Sequence, residues 1–282
     1  MVAKSVDYQE SAKSGDSGLD IAVTGLTKYL GGKVLYENFD LQIASGKITC
    51  IFGPNGCGKS TLLNMIAGLL LPDAGQLRFG GKLRSQVKIG YVFQNYRDAL
   101  FPWLRASANI EYPLLSAGLS RRQRLIRVDE LVQQFNVGFD LSRYPYELSG
   151  GQQQLVSIMR ALATRPNILF LDEPFSALDY EATLAIRDKL QDVFAATGVT
   201  IVMISHDLEE AVYLADHILL LTKRPTRIAE RVVFEASRPR TLDTLSDPEF
   251  VRVKAHSLDV FRRESSWLCN VPVQMLPSSS HF

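Results

Sequence analysis

Residues 53–60, Gly53-Pro54-Asn55-Gly56-Cys57-Gly58-Lys59-Ser60, constrain this chain more than any other stretch, because they satisfy the pattern G-x-x-x-x-G-K-[ST]. In such a loop the glycines turn consecutive backbone N–H groups toward phosphate oxygens, the lysine reaches the outer phosphates and the hydroxyl is an oxygen ligand for Mg²⁺. The loop needs a strand before it and a helix after it. The flanks supply both: 47–52 (KITCIF) is short, apolar and rich in β-branched residues, and 61–71 (TLLNMIAGLLL), beginning at Thr61, is an apolar helix former. The helix start adds unpaired N–H groups and partial positive charge to the site. An α/β fold built around a phosphate site follows.

Two further segments extend the chemistry. Leu148-Ser149-Gly150-Gly151-Gln152 places a good N-cap, Ser149, before two glycines that leave backbone N–H groups uncovered at the start of a helix reaching Ala163. This makes a second anion site, and the pair of sites reads as an ATP-driven device. Asn167 to Leu171 is a continuous apolar run, as expected of a parallel strand buried on both faces, and it ends in Asp172-Glu173-Pro174. Acids at the carboxyl end of such a strand stand where α/β sheets bind ligands. Asp172 is expected to hold Mg²⁺ through a water and Glu173 to orient the attacking water, the alternative being that the two acids cap the next helix. His206, after the apolar run 200–205, either ends a buried strand or faces a nucleotide. Ser205-His206-Asp207 cannot be a hydrolase triad by adjacency, because neighbours in extended chain point to opposite faces.

Together these residues resemble the nucleotide-binding subunit of ABC transporters over residues 20–235. The resemblance rests on six elements in order: the loop at 53–61, Gln94 in Tyr91-Val92-Phe93-Gln94, the signature at 148–152, the acidic strand end at 168–173, Ser176-Ala177-Leu178-Asp179, and His206 in Ile204-Ser205-His206-Asp207. It implies an ABC ATPase fold of the P-loop class with a RecA-like core, an N-terminal antiparallel β-subdomain and an inserted helical subdomain at about 97–158. It implies ATP and Mg²⁺ as ligands, with Gln94 linking metal and water to a membrane partner, Asp179 organising contact between two subunits and His206 touching the γ-phosphate. The signature of one subunit, Ser149 to Gln152, then covers the ATP held by the loop of another. Implied partners are a second ATPase subunit, identical or related, two transmembrane permease subunits and, indirectly, an extracytoplasmic solute-binding protein, at the cytoplasmic face of the inner membrane.

A finer resemblance is to the nitrate, sulfonate, taurine and bicarbonate importers. It is carried by Leu100-Phe101-Pro102-Trp103 after Gln94, by Lys223-Arg224-Pro225 with Arg227-Ile228, and by Asp247-Pro248-Glu249-Phe250. Nitrate or nitrite ranks first on this reading, with organosulfonates and taurine behind. Three departures stand. Gln152-Gln153-Gln154 replaces the basic residues common after the signature, Leu30 occupies the position of the usual adenine-stacking aromatic with Tyr29 one residue off, and nothing distinguishes pairing with itself from pairing with a related ATPase. A P-loop kinase leaves the signature unexplained. A clamp acting on DNA or ribosomes would carry two cassettes or a coiled-coil insertion.

Composition excludes other classes. A formal net charge of +1 offers no global attraction to nucleic acid. No apolar run is long enough to span a bilayer, no signal peptide is visible, and Cys50, Cys57 and Cys269 lack metal-ligand spacing and suit a reducing compartment. Cys57, beside Lys59 at a helix start, is expected to favour its thiolate, the alternative being a buried, inert thiol. Residues 1–19 read as a disordered tail and 21–43 as an antiparallel layer turning at Gly31-Gly32. Ser120 to Phe135 reads as a helix whose Arg121, Arg122, Arg124 and Arg127 form a solvated face. Residues 236–282 read as a docked helix over 247–262, with Phe250, Val253, Leu258 and Phe261 on its apolar side, followed by a loose tail. Leu100 to Trp103 either docks a membrane subunit or packs the helical subdomain onto the core.

Overall fold

The computed structural model describes residues 18–176 and 178–265. Residues 1–17 of the expected N-terminal tail, the C-terminal tail, Cys269 and Ala177 of the Ser176–Asp179 element lie outside the described residues. Gly18 and Leu19, expected in the tail, are instead tied to the core, Gly18 N donating to Gly198 O at 3.1 Å and Leu19 O accepting from Thr200 Oγ1 at 2.8 Å. Among the described residues nine strands occur: β1 (Ile21–Leu30), β2 (Lys33–Ile43), β3 (Ile48–Phe52), β4 (Ala74–Phe79), β5 (Ile89–Val92), β6 (Ile168–Asp172), β7 (Thr200–Ile204), β8 (His217–Leu221) and β9 (Ile228–Val233). The α-helices are α1 (Lys59–Ala67), α2 (Tyr96–Ala99), α3 (Ala106–Ser116), α4 (Arg121–Gln134), α5 (Gly150–Leu162), α6 (Tyr180–Thr197), α7 (Leu208–Leu214) and α8 (Pro248–Ser265).

The main sheet has the order β5-β6-β7-β3-β8-β9, parallel except for the edge strand β9. Every residue of β3, β6 and β7 is buried, which explains their unbroken apolar sequences. Side chains alternate between two cores. Cys50, Leu169, Leu171, Ile201 and Met203 face the helical side with α5 to α8, whereas Ile51, Phe170, Val202 and Ile204 face α1 and a second, antiparallel sheet of order β2-β1-β4. The hairpin β1–β2 turns at Gly31-Gly32 as its sequence indicates.

Some element ends differ from expectation. Helix α1 stops at Ala67 because Gly68 adopts a left-handed conformation (φ 79°) and closes the end by donating to Asn64 and Met65 carbonyls, leaving Leu69 and Leu71 exposed. On α8 the buried side is Phe250, Val253, Ser257 and Val260. Leu258 is exposed, contrary to the sequence pattern, while Phe261 packs edge-on against Phe52 with ring centroids 5.1 Å apart. The arginines of α4 divide: Arg121 and Arg122 are exposed, but Arg124 pairs with Glu111 at 2.6 Å, and Arg127 donates to the carbonyls of Leu162 and Ala163, closing the end of α5. A solvated face therefore describes only half of them.

A buried polar knot fixes where β3 begins. Asp216 accepts from the backbone N–H of Ile48 at 2.9 Å and from Arg238 at 2.9 Å. Arg240, fully buried, donates to Asp216, to the carbonyls of Val212, Tyr213 and Ala215 at the end of α7, and to that of Phe234. Burial pushes its guanidinium down to about 10, and Asp216 opposes that shift. Removing one partner of such a pair leaves an uncompensated buried charge. Arg240→Met is accordingly expected to lower the unfolding free energy by about 3–5 kcal/mol in urea titration. Arg240→Lys should recover only part of the loss, since an ammonium cannot fork to as many acceptors.

Candidate functional site

The site lies along the carboxyl ends of four adjacent parallel strands. The phosphate loop leaves β3, Gln94 follows β5, Glu173 follows β6 and His206 follows β7. Residues far apart in sequence meet there because the strands that carry them are neighbours.

Within the loop, Gly58 has a positive φ of 103°, and a methyl group at its position would stand 2.9 Å from Leu35 Cδ1. Only glycine fits. With no side chain at this N-cap and no acid in the first turn of α1, the helix start is open to an external anion. Lys59 folds back and donates through Nζ to the carbonyls of Gly53 at 2.8 Å and Pro54 at 3.3 Å. Asn55 and Gly56 are exposed, Pro54 is buried and Thr61 is half-buried. Ser60 Oγ donates to Asp172 Oδ1 at 3.1 Å, which brings together two oxygen groups expected around a cation. Burial pushes the Asp172 carboxyl up, and the Ser60 bond opposes it. A buried carboxylate so placed is stabilised by a positive partner.

Cys57 corrects the sequence expectation. Its side chain is only 1% exposed and packs with the core under β1 and β2. Burial pushes the thiol up, against a smaller opposing pull from Lys59, so the thiol and not the thiolate is favoured.

Glu173 is the focus of the remaining residues. Its Oε2 accepts from Gln94 Nε2 at 2.9 Å and lies 3.5 Å from His206 Nδ1. The alternative in which the acid pair caps the following helix does not hold, because Asp179 caps α6, accepting from Ala182 N at 2.8 Å. The alternative in which His206 merely ends a buried strand also fails, because its side chain is half exposed beside Glu173. Glu173 itself has φ of 46°, a left-handed conformation unusual for a residue with a side chain, held by its N–H donating to Ile204 O at 3.1 Å.

The signature is built as expected at the start of α5. Ser149 Oγ accepts from Gln152 N and Gln152 Oε1 accepts from Ser149 N, a reciprocal cap that accounts for glutamine at 152. Gly150 opens the helix, and a methyl group at Gly151 would stand 2.9 Å from Ala182 Cβ on α6. Among the described residues no hydrogen bond or ion pair joins 148–152 to the phosphate loop or to Glu173. The chain's two anion sites are therefore not closed on one another by such contacts.

Sequence reasoning passed over Asn109. Fully buried on α3, it accepts from Phe101 N at 2.8 Å and donates to the carbonyls of Phe101, Leu104 and Arg105. It thereby shapes the loop that presents Trp103, which is 70% exposed while Leu100 is buried. The reading of Trp103 as core packing is excluded by that exposure.

Comparison with known proteins agrees with this geometry. The family model described as ABC transporter matches residues 36–176. The taurine import ATP-binding protein TauB of Yersinia pseudotuberculosis is 38% identical over 84% of this chain and 94% of that protein, and TauB of Escherichia coli O6:H1 is 36% identical over 84% and 95%. A dimeric post-hydrolysis structure of the ATP-binding cassette MJ0796, bound to ADP and Pi, covers 77% of this chain and 100% of its own at 31% identity and a TM-score of 0.66. The cbiO1 protein of Clostridium perfringens, part of the ABC transporter complex cbiONQ, shares the fold with a TM-score of 0.68 at 24% identity over 82% of this chain and 92% of that one. The nitrate-first ordering gains no support from these relatives, whose names point to taurine.

Two substitutions at Glu173 separate chemistry from strain. Glu173→Gln is expected to keep nucleotide binding and lose about 10² to 10⁴ in turnover, read by phosphate release. Glu173→Gly should be equally inactive yet more stable than Glu173→Gln by about 1 kcal/mol, and so melt at higher temperature, since glycine adopts φ of 46° without strain. Equal melting of the two variants would falsify the assignment of strain.

Proposed function

The chain belongs to the ABC transporter family, as an ATP-binding subunit with ATPase activity, and from that premise we propose that it energises import of a small organosulfonate of the taurine type. The observation that carries the ATPase part is the single oxygen of Glu173 shared by Gln94 and His206 at the edge of the phosphate loop. The solute part is supported by relatives named for taurine import that align over nearly their full length.

On this reading residues 53–61 hold the phosphates of ATP, with Lys59 released from the Gly53 and Pro54 carbonyls to the terminal phosphates. Ser60, Asp172 and Gln94 fit Mg²⁺, which favours hard oxygen ligands and takes one or two carboxylates plus substrate phosphates. Its chemistry there is to neutralise charge on the phosphate oxygens. Glu173 orients the attacking water and accepts its proton density, Gln94 holds Glu173 in place, and His206 contacts the γ-phosphate. Because its own signature makes no such contact with its own loop, Ser149 to Gln152 of a second copy or related subunit closes the site, with Asp179 at the subunit contact. Hydrolysis then removes the ligand that joins the two. The ATPase domain on this reading is 20–235 with its helical insertion at about 97–158.

The exposed Pro102-Trp103 tip of the loop after Leu100 supports docking to the membrane subunits, and on this reading the protein acts peripherally at the cytoplasmic face of the inner membrane, with a solute-binding protein acting from the other side. No described helix is long and apolar enough to cross a membrane. Isolation from membranes with identification of the accompanying chains, together with uptake of labelled taurine in a strain lacking this protein, tests the whole reading. Loss of nitrate uptake with normal taurine uptake would overturn the solute. For the docking surface, Trp103→Ala should leave the melting temperature and ATP affinity unchanged while permease pull-down and uptake fall together. A loss of about 3–5 kcal/mol in stability, as for a buried aromatic, with normal pull-down would sink it.

A further inference from the structure

Three side chains that take no part in the steps above grip the phosphate loop from behind. The carbonyls of three successive residues each accept from a different side chain: Gly56 O from Arg224 Nε at 2.7 Å, Cys57 O from Thr226 Oγ1 at 2.5 Å and Gly58 O from Tyr36 Oη at 3.0 Å, the last beside the first helical bond of α1 from Leu62 N at 2.8 Å. Arg224 and Thr226 belong to the turn between β8 and β9, and Tyr36 belongs to β2. Thr226 and Tyr36 are fully buried, and the Thr226 N–H donates to Leu35 O at 2.8 Å, so the turn and β2 brace one another beside the loop. The loop's earlier carbonyls, Gly53 and Pro54, face Lys59.

In a planar trans peptide the C=O and the next residue's N–H point in opposite directions. Anchoring the Cys57 and Gly58 carbonyls outward therefore sets the N–H groups of Gly58 and Lys59 on the inner side, where an anion would sit. The Gly58 carbonyl keeps its bond from Leu62 N, but the Cys57 carbonyl without Thr226 could rotate inward and present negative charge to a phosphate. Arg224 on Gly56 O steadies the peptide whose N–H, that of Cys57, closes the turn on Pro54 O at 3.3 Å. Donors fixed before the ligand arrives avoid reorganisation on binding.

We propose that Tyr36, Thr226 and Arg224 are positioning residues of the phosphate site, which hold the loop in its anion-binding form by fixing its carbonyls away from the ligand. The proposal rests on the reading of residues 53–61 as the site for ATP phosphates. It gives a physical role to the Lys223-Arg224-Pro225 segment, which sequence comparison marks only as a group resemblance.

The test is ADP affinity of the full chain by titration calorimetry, with the nucleotide-free melting temperature measured alongside. Thr226→Val keeps the side chain's volume and removes its hydroxyl. It is expected to weaken ADP binding about tenfold, the effect of orphaning one buried hydrogen-bonding group, and Thr226→Ser should restore it. Arg224→Ala alters an exposed side chain, should leave the melting temperature unchanged and weaken ADP about threefold; it carries the test if Thr226→Val does not fold. Wild-type affinity in folded Thr226→Val and Arg224→Ala, or a loss that Thr226→Ser does not restore, overturns the proposal. Lys59→Ala is the control for the underlying reading. If it loses ADP while the other variants bind normally, only the positioning role fails; if it binds ADP undiminished, the loop is not the phosphate site.

Discussion

A backbone N–H can be offered to a ligand only where the chain refrains from using it, and the whole molecule is arranged around that requirement. The loop after β3 carries its open donors at the centre of the main sheet, and several polar groups around it are committed elsewhere. Lys59, Arg224, Thr226 and Tyr36 occupy the loop's carbonyls, Asp216 occupies the first N–H of β3, and Arg240 occupies the end of α7. With these acceptors already taken, they do not draw the loop's open donors onto the protein. The rigidity of β3 matters for the same reason, since a loop can be no better placed than the strand that delivers it.

The sheet order explains why the site was so legible in the sequence. Gln94, Glu173 and His206 each sit just past an apolar run, and the runs prove to be neighbouring parallel strands, so motif position along the chain translates directly into position along one edge. Strands β3, β6 and β7 were readable because burial on both faces leaves no room for polar residues. The signature cap was readable because Ser149 and Gln152 act on their own helix.

What escaped the sequence depends on contacts to backbone carbonyls made across long separations. Any donor can serve a carbonyl, so Thr226 on Cys57, Asn109 on Phe101 or Arg127 on Leu162 leaves no pattern in residue type or spacing. The same blindness misassigned charge. Arg127 and Arg124 looked like surface charges because helical spacing shows which residues share a face but not which other helix end that face meets. Cys57 was misjudged by a related step: proximity to Lys59 and to a helix start was visible, whereas the covering by β1 and β2 that dominates its thiol was not.

The segment after Gln94 ties these parts into one mechanical unit. Gln94 donates to Glu173, and α2 follows at once, ending at Leu100 in the core. On α5, the signature helix, Arg160 donates to Ala99 O at 2.7 Å and lies over the Phe101 ring at 5.7 Å. Phe101 in turn packs against Trp103 and Tyr112, with centroids at 5.4 and 4.7 Å, and its backbone is locked by Asn109. Glu173, helix α5 and the exposed Trp103 thus share residues 94–103 as a common neighbour. Close-packed contacts of this kind transmit displacement because they deform little. A shift of α5 relative to Glu173 must either break the Arg160–Ala99 and Gln94–Glu173 bonds or carry the Trp103 loop with it, and the second course keeps both bonds.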